Sequence, residues 1–328
     1  MREIFVFNGD ADGLCALQQL RLAEPEVLAR QAPLITGVKR DIAIVDRATT
    51  VAAAGDRCTV LDVSLDTNRA GVVALLDAGV GVRYFDHHFA GELPAHSLLD
   101  AHIDLAPNVC TSLLVDRYLD GRRRAWALVG IFGDSLTDEG MALARQAGVS
   151  EGDAQRLREL GVAINYNAYG ETIADLHVAP AALADEMLPY TDPLRFIDTP
   201  TFQRLRDGYR QDMEHAQRIQ PARQAPGALV FQLPDLAWAR RVSGTLANDL
   251  AKAHAGSAVA IVSPKSGAGG GFVVSVRVPR DCPTSAESFC RRFPTGGGRR
   301  SAAGINHLPD GELEAFANAF EDQFRAGQ

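Results

Sequence analysis

The sequence predicts an α/β protein of two domains joined by a linker. Three observations carry that expectation. Short β-rich runs alternate with helical stretches through residues 1–187. A stretch with Pro193, Pro200, Pro221 and Pro226 among many charges, 188–226, breaks the pattern and reads as a linker with some helix in it. The pattern then restarts over 227–328 as a smaller α/β domain. Strands separated by helices imply a parallel sheet covered on both faces in the first domain.

The elements follow in order. Residues 3–8 (EIFVFN) read as a buried strand and 13–23 (GLCALQQLRLA) as the helix after it. Residues 34–38 are a short strand, 59–63 (TVLDV) a third, and 82–85 (VRYF) a fourth, the last preceded by a helix that ends near 75–77. An apolar run, 125–132 (AWALVGIF), is treated as a further element that presents an acidic residue at its end. In the second domain, 228–233, 258–262 and 271–278 read as strands, the last two around the turn SGAGGG. Trp238, Val242, Leu246 and Leu250 form one stripe of a helix, and Leu313, Phe316, Phe320 and Phe324 mark a final amphipathic helix.

Composition narrows the function. The chain has 328 residues, 46% of them hydrophobic, enough for a core in each domain. A net charge of -8 argues against wrapping long duplex nucleic acid, though not against a small anionic substrate in a local basic pocket. No run of about 18 apolar residues is present, which excludes a spanning helix. The opening MREIFVFNGDADG does not read as a signal peptide. Five cysteines without a CxxC pair fit reduced thiols in a cytoplasmic protein better than disulfides or a zinc site.

In parallel sheets, ligands collect at the carboxyl ends of the strands. Asp10 and Asp12 follow the first strand, Asp62 ends the third, Asp86-His87-His88 follows the fourth, and Asp134 follows the apolar run. Singly, each has an ordinary explanation: an acidic turn for Asp10 and Asp12, a helix cap for Asp62 or Asp134, and surface decoration for the His pair. Their recurrence at one predicted sheet edge is what points to a shared site. Carboxylates with imidazole favour Mn²⁺ or another first-row divalent ion. Two such ions about 4 Å apart, bridged by a carboxylate, can generate hydroxide and clamp a phosphoryl group.

The order FNGDADG, VLDVS, FDHHF and FGDS resembles the four motifs of the DHH phosphoesterase superfamily. The stretch 296–304 (GGGRRSAAG) resembles the glycine-rich motif, usually GGHxxAAG, of the DHH-associated C-terminal domain. The resemblance covers nearly the whole chain and implies an active site in the cleft between the two domains. It implies that Asp62 bridges two metals, that Asp12, His87 and Asp134 hold one of them, and that Asp10 holds the other. His88 then contacts the scissile phosphate or protonates the leaving oxygen, and Asp86 orients the imidazoles. Two positions depart from the pattern. Val6 stands where many relatives have a histidine ligand, which implies weaker binding of the first metal, with Asn8 as a neutral oxygen nearby. Arg299 replaces the histidine of the C-terminal motif and could hold a phosphate bidentately.

Candidate substrate contacts follow. Gly296, Gly297 and Gly298 permit close approach to a phosphate or base. The resemblance makes Arg277 and Arg299 ligands of a substrate phosphate. Asn108 in PNVCTS could reach the phosphate, while Thr111 or Ser112 reads as the cap of the next helix. Lys39-Arg40 lies near the same sheet edge as the acidic residues, with substrate contact and solvated surface equally open. The stretch 165–170 (NYNAYG) reads first as a helix end packed on the linker and second as a base-stacking segment.

The expected activity is a Mn²⁺-dependent phosphodiesterase of the 3′-5′ exonuclease or oligoribonuclease type, with two ions and with Mg²⁺ or Co²⁺ as substitutes. It would release mononucleotides from linear dinucleotides such as pGpG, very short oligonucleotides or cyclic dinucleotides. The alternatives are a phosphomonoesterase on a nucleotide bisphosphate, a polyphosphate hydrolase, and a nucleotide-binding protein with a degraded metal site. The expected partners are a short nucleotide or oligonucleotide and no membrane, with a homodimer left open.

Overall fold

The computed structural model describes residues 2–24, 32–265 and 269–325. It divides into two compact units, Met1–Gly208 and Tyr209–Gln328.

Among its described residues, the first unit holds a five-stranded parallel sheet. The strands are β1 (Glu3–Phe7), β2 (Leu34–Ile35), β3 (Arg57–Leu61), β4 (Gly81–Asp86) and β5 (Leu99–Ile103), in the order β2-β1-β3-β4-β5. All five residues of β1 are buried. Because strand side chains alternate, β1 feeds two apolar layers. Phe5 and Phe7 join a layer with Leu14, Leu17, Trp126 and Leu157, while Ile4 and Val6 join another with Val60, Val82, Val72 and Leu75. A sheet covered on both faces is what continuous apolar runs such as EIFVF require.

The helices of this unit are α1 (Ala11–Ala23), α2 (Leu65–Asp77), α3 (Thr111–Tyr118), α4 (Arg124–Gly133), α5 (Thr137–Gln146), α6 (Glu151–Asn167), α7 (Pro180–Met187) and α8 (Pro193–Phe196). After them, α9 (Pro200–Ala216) carries the chain across the division. The stretch 188–226 thus contains regular elements: Phe196, Phe202 and Leu205 lie in the first unit's core.

The second unit holds a six-stranded sheet among its described residues. Its strands are β6 (Arg223–Ala225), β7 (Ala228–Gln232), β8 (Ala258–Pro264), β9 (Phe272–Arg277), β10 (Gly296–Gly298) and β11 (Ala302–Leu308), ordered β10-β11-β9-β8-β7-β6. Only the β7–β8 pair is parallel. The helices are α10 (Ala237–Ala253), α11 (Ala286–Cys290) and α12 (Leu313–Phe324). Phe316, Phe320 and Phe324, one stripe of α12, meet Phe289 at centroid distances of 5.9, 5.6 and 5.3 Å, all edge to face. Of the SGAGGG turn, residues 266–268 lie outside the described residues.

Several expectations need correction. The apolar run 125–132 is not at the end of a strand: it is α4, buried from Trp126 to Gly133 and surrounded by helices. A run apolar on every side cannot be assigned by periodicity, and here the helix prevails. The second strand is only Leu34–Ile35, because the chain turns over Val38 to Asp41, the loop that carries Lys39. The pattern also misses β5, with the polar sequence LDAHI, and β10, which is three glycines. No described helix is long and apolar enough to cross a membrane. The five cysteines are free, and all but the half-buried Cys282 are buried.

Close helix packing aims the end of α4. A Cβ added at Gly133 would stand 2.3 Å from the Ala11 Cβ and 3.0 Å from the Gly161 carbonyl oxygen, so α1, α4 and α6 meet at backbone distance there. Replacing Gly133 with alanine forces these helices apart. The expected destabilisation is about 1–3 kcal/mol, read as a lower midpoint in urea unfolding. An unchanged midpoint would refute this packing.

Candidate metal centre

The first acidic motif is shaped by a helix start. Asp10 is the N-cap of α1: its Oδ1 accepts from the amides of Asp12 at 3.0 Å and Gly13 at 3.1 Å. Gly9 is required because the loop at Gly37 passes against it. A Cβ at Gly9 would lie 2.1 Å from the Gly37 carbonyl oxygen. The Asp10 Oδ2 accepts from the ammonium of Lys39, which that loop delivers.

Asp12 points the other way. Its two oxygens accept from the backbone amides of Thr111 and Ser112, each at 2.7 Å, at the start of α3. Those amides are the unpaired donors of a helix N-terminus and carry its positive end. The sequence reading has Thr111 or Ser112 capping this helix. Instead, Cys110 is the N-cap and makes no side-chain cap bond. The Thr111 hydroxyl donates to Asp62 Oδ1 at 3.1 Å, and the Ser112 hydroxyl donates to the Asp12 carbonyl at 2.8 Å.

Asp62 follows β3 in a left-handed backbone conformation, φ 60°, uncommon for a residue with a side chain though less so for Asp. Asp134 is the C-cap of α4, and Ser135 after it has φ 67°. Both carboxyls are displaced upward. Burial first, then the charges of Asp12, Asp10 and Asp134, push Asp62 well above the ordinary carboxylate range. Burial and Asp12 push Asp134 up to about 6, against the pull of Lys39. Burial also acts on Asp10, but the adjacent Lys39 ammonium and the Gly13 amide bring it below its usual value.

The two histidines are held differently. His87 Nδ1 lies 2.8 Å from the Val109 carbonyl, an acceptor only, so Nδ1 carries the proton and donates. The other ring nitrogen, Nε2, lies 3.5 Å from Asp62 Oδ1 and 4.0 Å from Asp12 Oδ2. His88 Nδ1 pairs with Asp86 Oδ1 at 2.7 Å, and its side chain is 46% exposed. Burial lowers the proton affinity of His88, but Asp86 more than offsets this, so its pKa is raised. Asp86 itself is fully buried at the end of β4, with Oδ2 lacking a hydrogen-bond partner.

Asp12, His87 and Asp134 offer donor atoms within 4.8 Å of one another, and so do Asp62, His87 and His88. Hard carboxylate oxygens, an imidazole nitrogen and mutual carboxylate repulsion fit a divalent first-row cation. Asn8 is less available than the sequence suggests: its Oδ1 accepts from the Asp10 amide at 3.3 Å and its Nδ2 donates to the Lys39 carbonyl at 3.3 Å. Val6 is fully buried in the apolar layer. Asn108 is exposed in the turn before Val109.

Sequence reasoning missed the amides of Thr111 and Ser112 and the Val109 carbonyl, because backbone groups leave no signature in residue identity. It left Lys39 undecided. The 165–170 stretch serves that lysine: Asn165 Oδ1 accepts from its ammonium at 3.2 Å and the Ala168 carbonyl from its amide at 2.9 Å. In the second unit, Arg277 ends β9 opposite Ala302 and donates to Asn248 Oδ1 at 2.9 Å. Arg299 is exposed in the turn after Gly297 and Gly298 of β10, where its amide donates to the Ala302 carbonyl. These four candidates therefore gather at one end of their own sheet.

The displacement of Asp134 predicts a pH dependence for the metal-free protein. Below the ordinary carboxylate value of 3.8, the group is protonated both folded and unfolded, and its contribution is fully present. That contribution is lost as pH rises through about 6, where the folded state must carry the charge. Asp134→Asn should therefore raise metal-free stability near pH 7.5 by roughly 1–2 kcal/mol and do little near pH 4. Thermal unfolding in chelator at both pH values tests this. Excess Mn²⁺ should reverse the ranking.

No protein-family model matches the chain, and no curated protein sequence does. Solved structures do. The exonuclease RecJ bound to manganese matches 98% of this chain and 89% of its own, at 21% identity and a TM-score of 0.64. The DHH domain of a protein assigned to a family of ribosomal proteins matches 99% of this chain and 87% of its own, at 14% identity and a TM-score of 0.64. A pGpG-specific phosphodiesterase, PggH from Vibrio cholerae, matches 99% of each chain at 13% identity and a TM-score of 0.56. This chain therefore has the fold of the DHH proteins over nearly its whole length, and the motifs that resemble theirs meet at its Asp/His cluster.

Proposed function

We propose that the protein is a Mn²⁺-dependent phosphodiesterase that hydrolyses short nucleotide substrates to mononucleotides. The observation that carries this reading is the pinned ring of His87. Its Nδ1 is committed to the Val109 carbonyl and its Nε2 faces two carboxylates, which is how a protein prepares an imidazole for a metal. Asp12, Asp62, His87 and Asp134 would hold the ion. When bound, it supplies Lewis acidity toward a phosphoryl group and lowers the pKa of water.

The chain's own groups complete the chemistry. The amides of α3 hold Asp12 in the orientation the ion needs. Asp86 holds His88 and favours its protonated form, so His88 Nε2 can bind a phosphate oxygen and pass a proton to the leaving alkoxide. Arg277 and Arg299 supply guanidinium groups for a second phosphate, Gly297 and Gly298 let backbone come close to it, and Asn108 offers an amide. A net charge of -8 suits short substrates: linear dinucleotides such as pGpG, very short oligonucleotides or cyclic dinucleotides. The shared fold with PggH and RecJ supports the same substrate class.

The test is mononucleotide release from pGpG with Mn²⁺, run beside 3′-phosphoadenosine 5′-phosphate and polyphosphate. Wild type should act on the dinucleotide in preference to the other two. His88→Ala should lower kcat about 10²–10⁴-fold with Mn²⁺ binding retained. Asp62→Asn should lose both activity and tight Mn²⁺ binding. Equal release by wild type and both variants, or preference for the bisphosphate or polyphosphate, would overturn the assignment.

A further inference from the structure

Asp10 stands apart from the other carboxylates of the centre because one of its oxygens is held by a side-chain cation. One accepts two amides at the start of α1 and the other accepts the Lys39 ammonium. It belongs to neither of the two donor groups that could surround a cation. Nearby positions do not compensate: Val6 is buried in the apolar layer, and the Asn8 amide is bonded to backbone at both of its polar atoms.

Lys39 is built into this place. Its amide donates to the Ala168 carbonyl and its carbonyl accepts from Asn8, so its backbone is tied to the end of α6 on one side and to the loop after β1 on the other. Its ammonium also donates to Asn165 Oδ1 and lies 5.5 Å from the centre of the Tyr169 ring. Burial works against its charge, but Asp10, Tyr169 and Asp134 hold its pKa well above the usual lysine value.

We propose that the Lys39 ammonium stands where a second metal ion would bind on the Asp10 side of the centre, so that each chain takes one divalent ion, on Asp12, Asp62, His87 and Asp134. The inference rests on the metal-dependent phosphoesterase reading given above. Charge supports it. With an ion bound and all four carboxyls ionised, Asp10, Asp12, Asp62 and Asp134 carry four negative charges, and one dication with one ammonium leaves a single net negative charge. A second dication would make the buried set net positive, with an ammonium among its nearest neighbours. Lysine gives a positive charge that no chelator removes and no change in metal supply alters.

Mn²⁺ binding to the full chain, measured by calorimetry and by electron paramagnetic resonance, tests the proposal without recourse to turnover. Wild type should bind one Mn²⁺ per chain at saturation, with the spectrum of an isolated ion. Lys39→Ala should free Asp10 and bind two, with a spin-coupled spectrum and at least a tenfold gain in affinity for the second ion. Lys39→Arg, which keeps the charge, should still bind one, and Lys39→Met provides a second neutral variant if the alanine form does not fold. Two ions on wild type, or one ion on a folded neutral variant, would overturn the proposal and leave the phosphoesterase reading intact. No ion on wild type would remove that reading, and this inference with it.

Discussion

The contact on which the centre depends is the Asp12 carboxylate seated on the first two amides of α3. It joins residues a hundred positions apart in the chain. It also solves two problems at once. The start of α3 has no side-chain cap of its own, and Asp12 is almost completely buried beside other carboxylates. Each group needs the other: the amides need an acceptor and the anion needs donors. The neighbouring hydroxyls extend the link, with Ser112 reaching the backbone of Asp12 and Thr111 reaching Asp62. Disturbing α3 would therefore move two motifs together, although α3 contributes no side chain to the candidate ligand set.

The strength of this arrangement lies in its division of polar work. Backbone groups orient Asp12 and His87, side chains orient His88 and Asp62, and a lysine balances Asp10. What remains unbalanced is the burial, and after it the carboxylate repulsion, that raises Asp62 and Asp134. That remainder is localised on the side chains with donor atoms facing His87. The fold stores it there, together with the left-handed backbone at Asp62, while the apolar layers on both faces of the sheet supply the stability that tolerates it.

Much of this was legible in the sequence, and the reasons differ by element. β1 was readable because EIFVF is apolar without a break, and α12 because its phenylalanines recur at helical spacing. Asp10, Asp12, Asp62 and His87 were readable because strand ends in a parallel sheet converge. Asp134 was found for a partly wrong reason, since its apolar run is a helix. β5 and β10 were hidden because their residues, LDAHI and GGG, lack an apolar pattern, and they pair only because a neighbouring strand is there to receive them. The role of Lys39 was hidden for a related reason. Its acidic neighbour in the chain, Asp41, is paired with Arg47 instead; the anchors of Lys39 are at Asp10, Asn165 and Ala168.

The spacing of the ligands along the chain has a consequence for how the protein is made. The candidate set runs from Asp12 to Asp134, so a ribosome must release a stretch of more than 120 residues between the first donor and the last. An ion therefore cannot serve as the seed around which the first strands gather. The sheet and its helices must already have closed loops of about a hundred residues before a binding place exists, which would make an ion a late arrival in folding. An ion bound there would act mainly on the rate at which the finished molecule comes apart, so metal supply would govern the lifetime of the protein in the cell more than its yield from the ribosome.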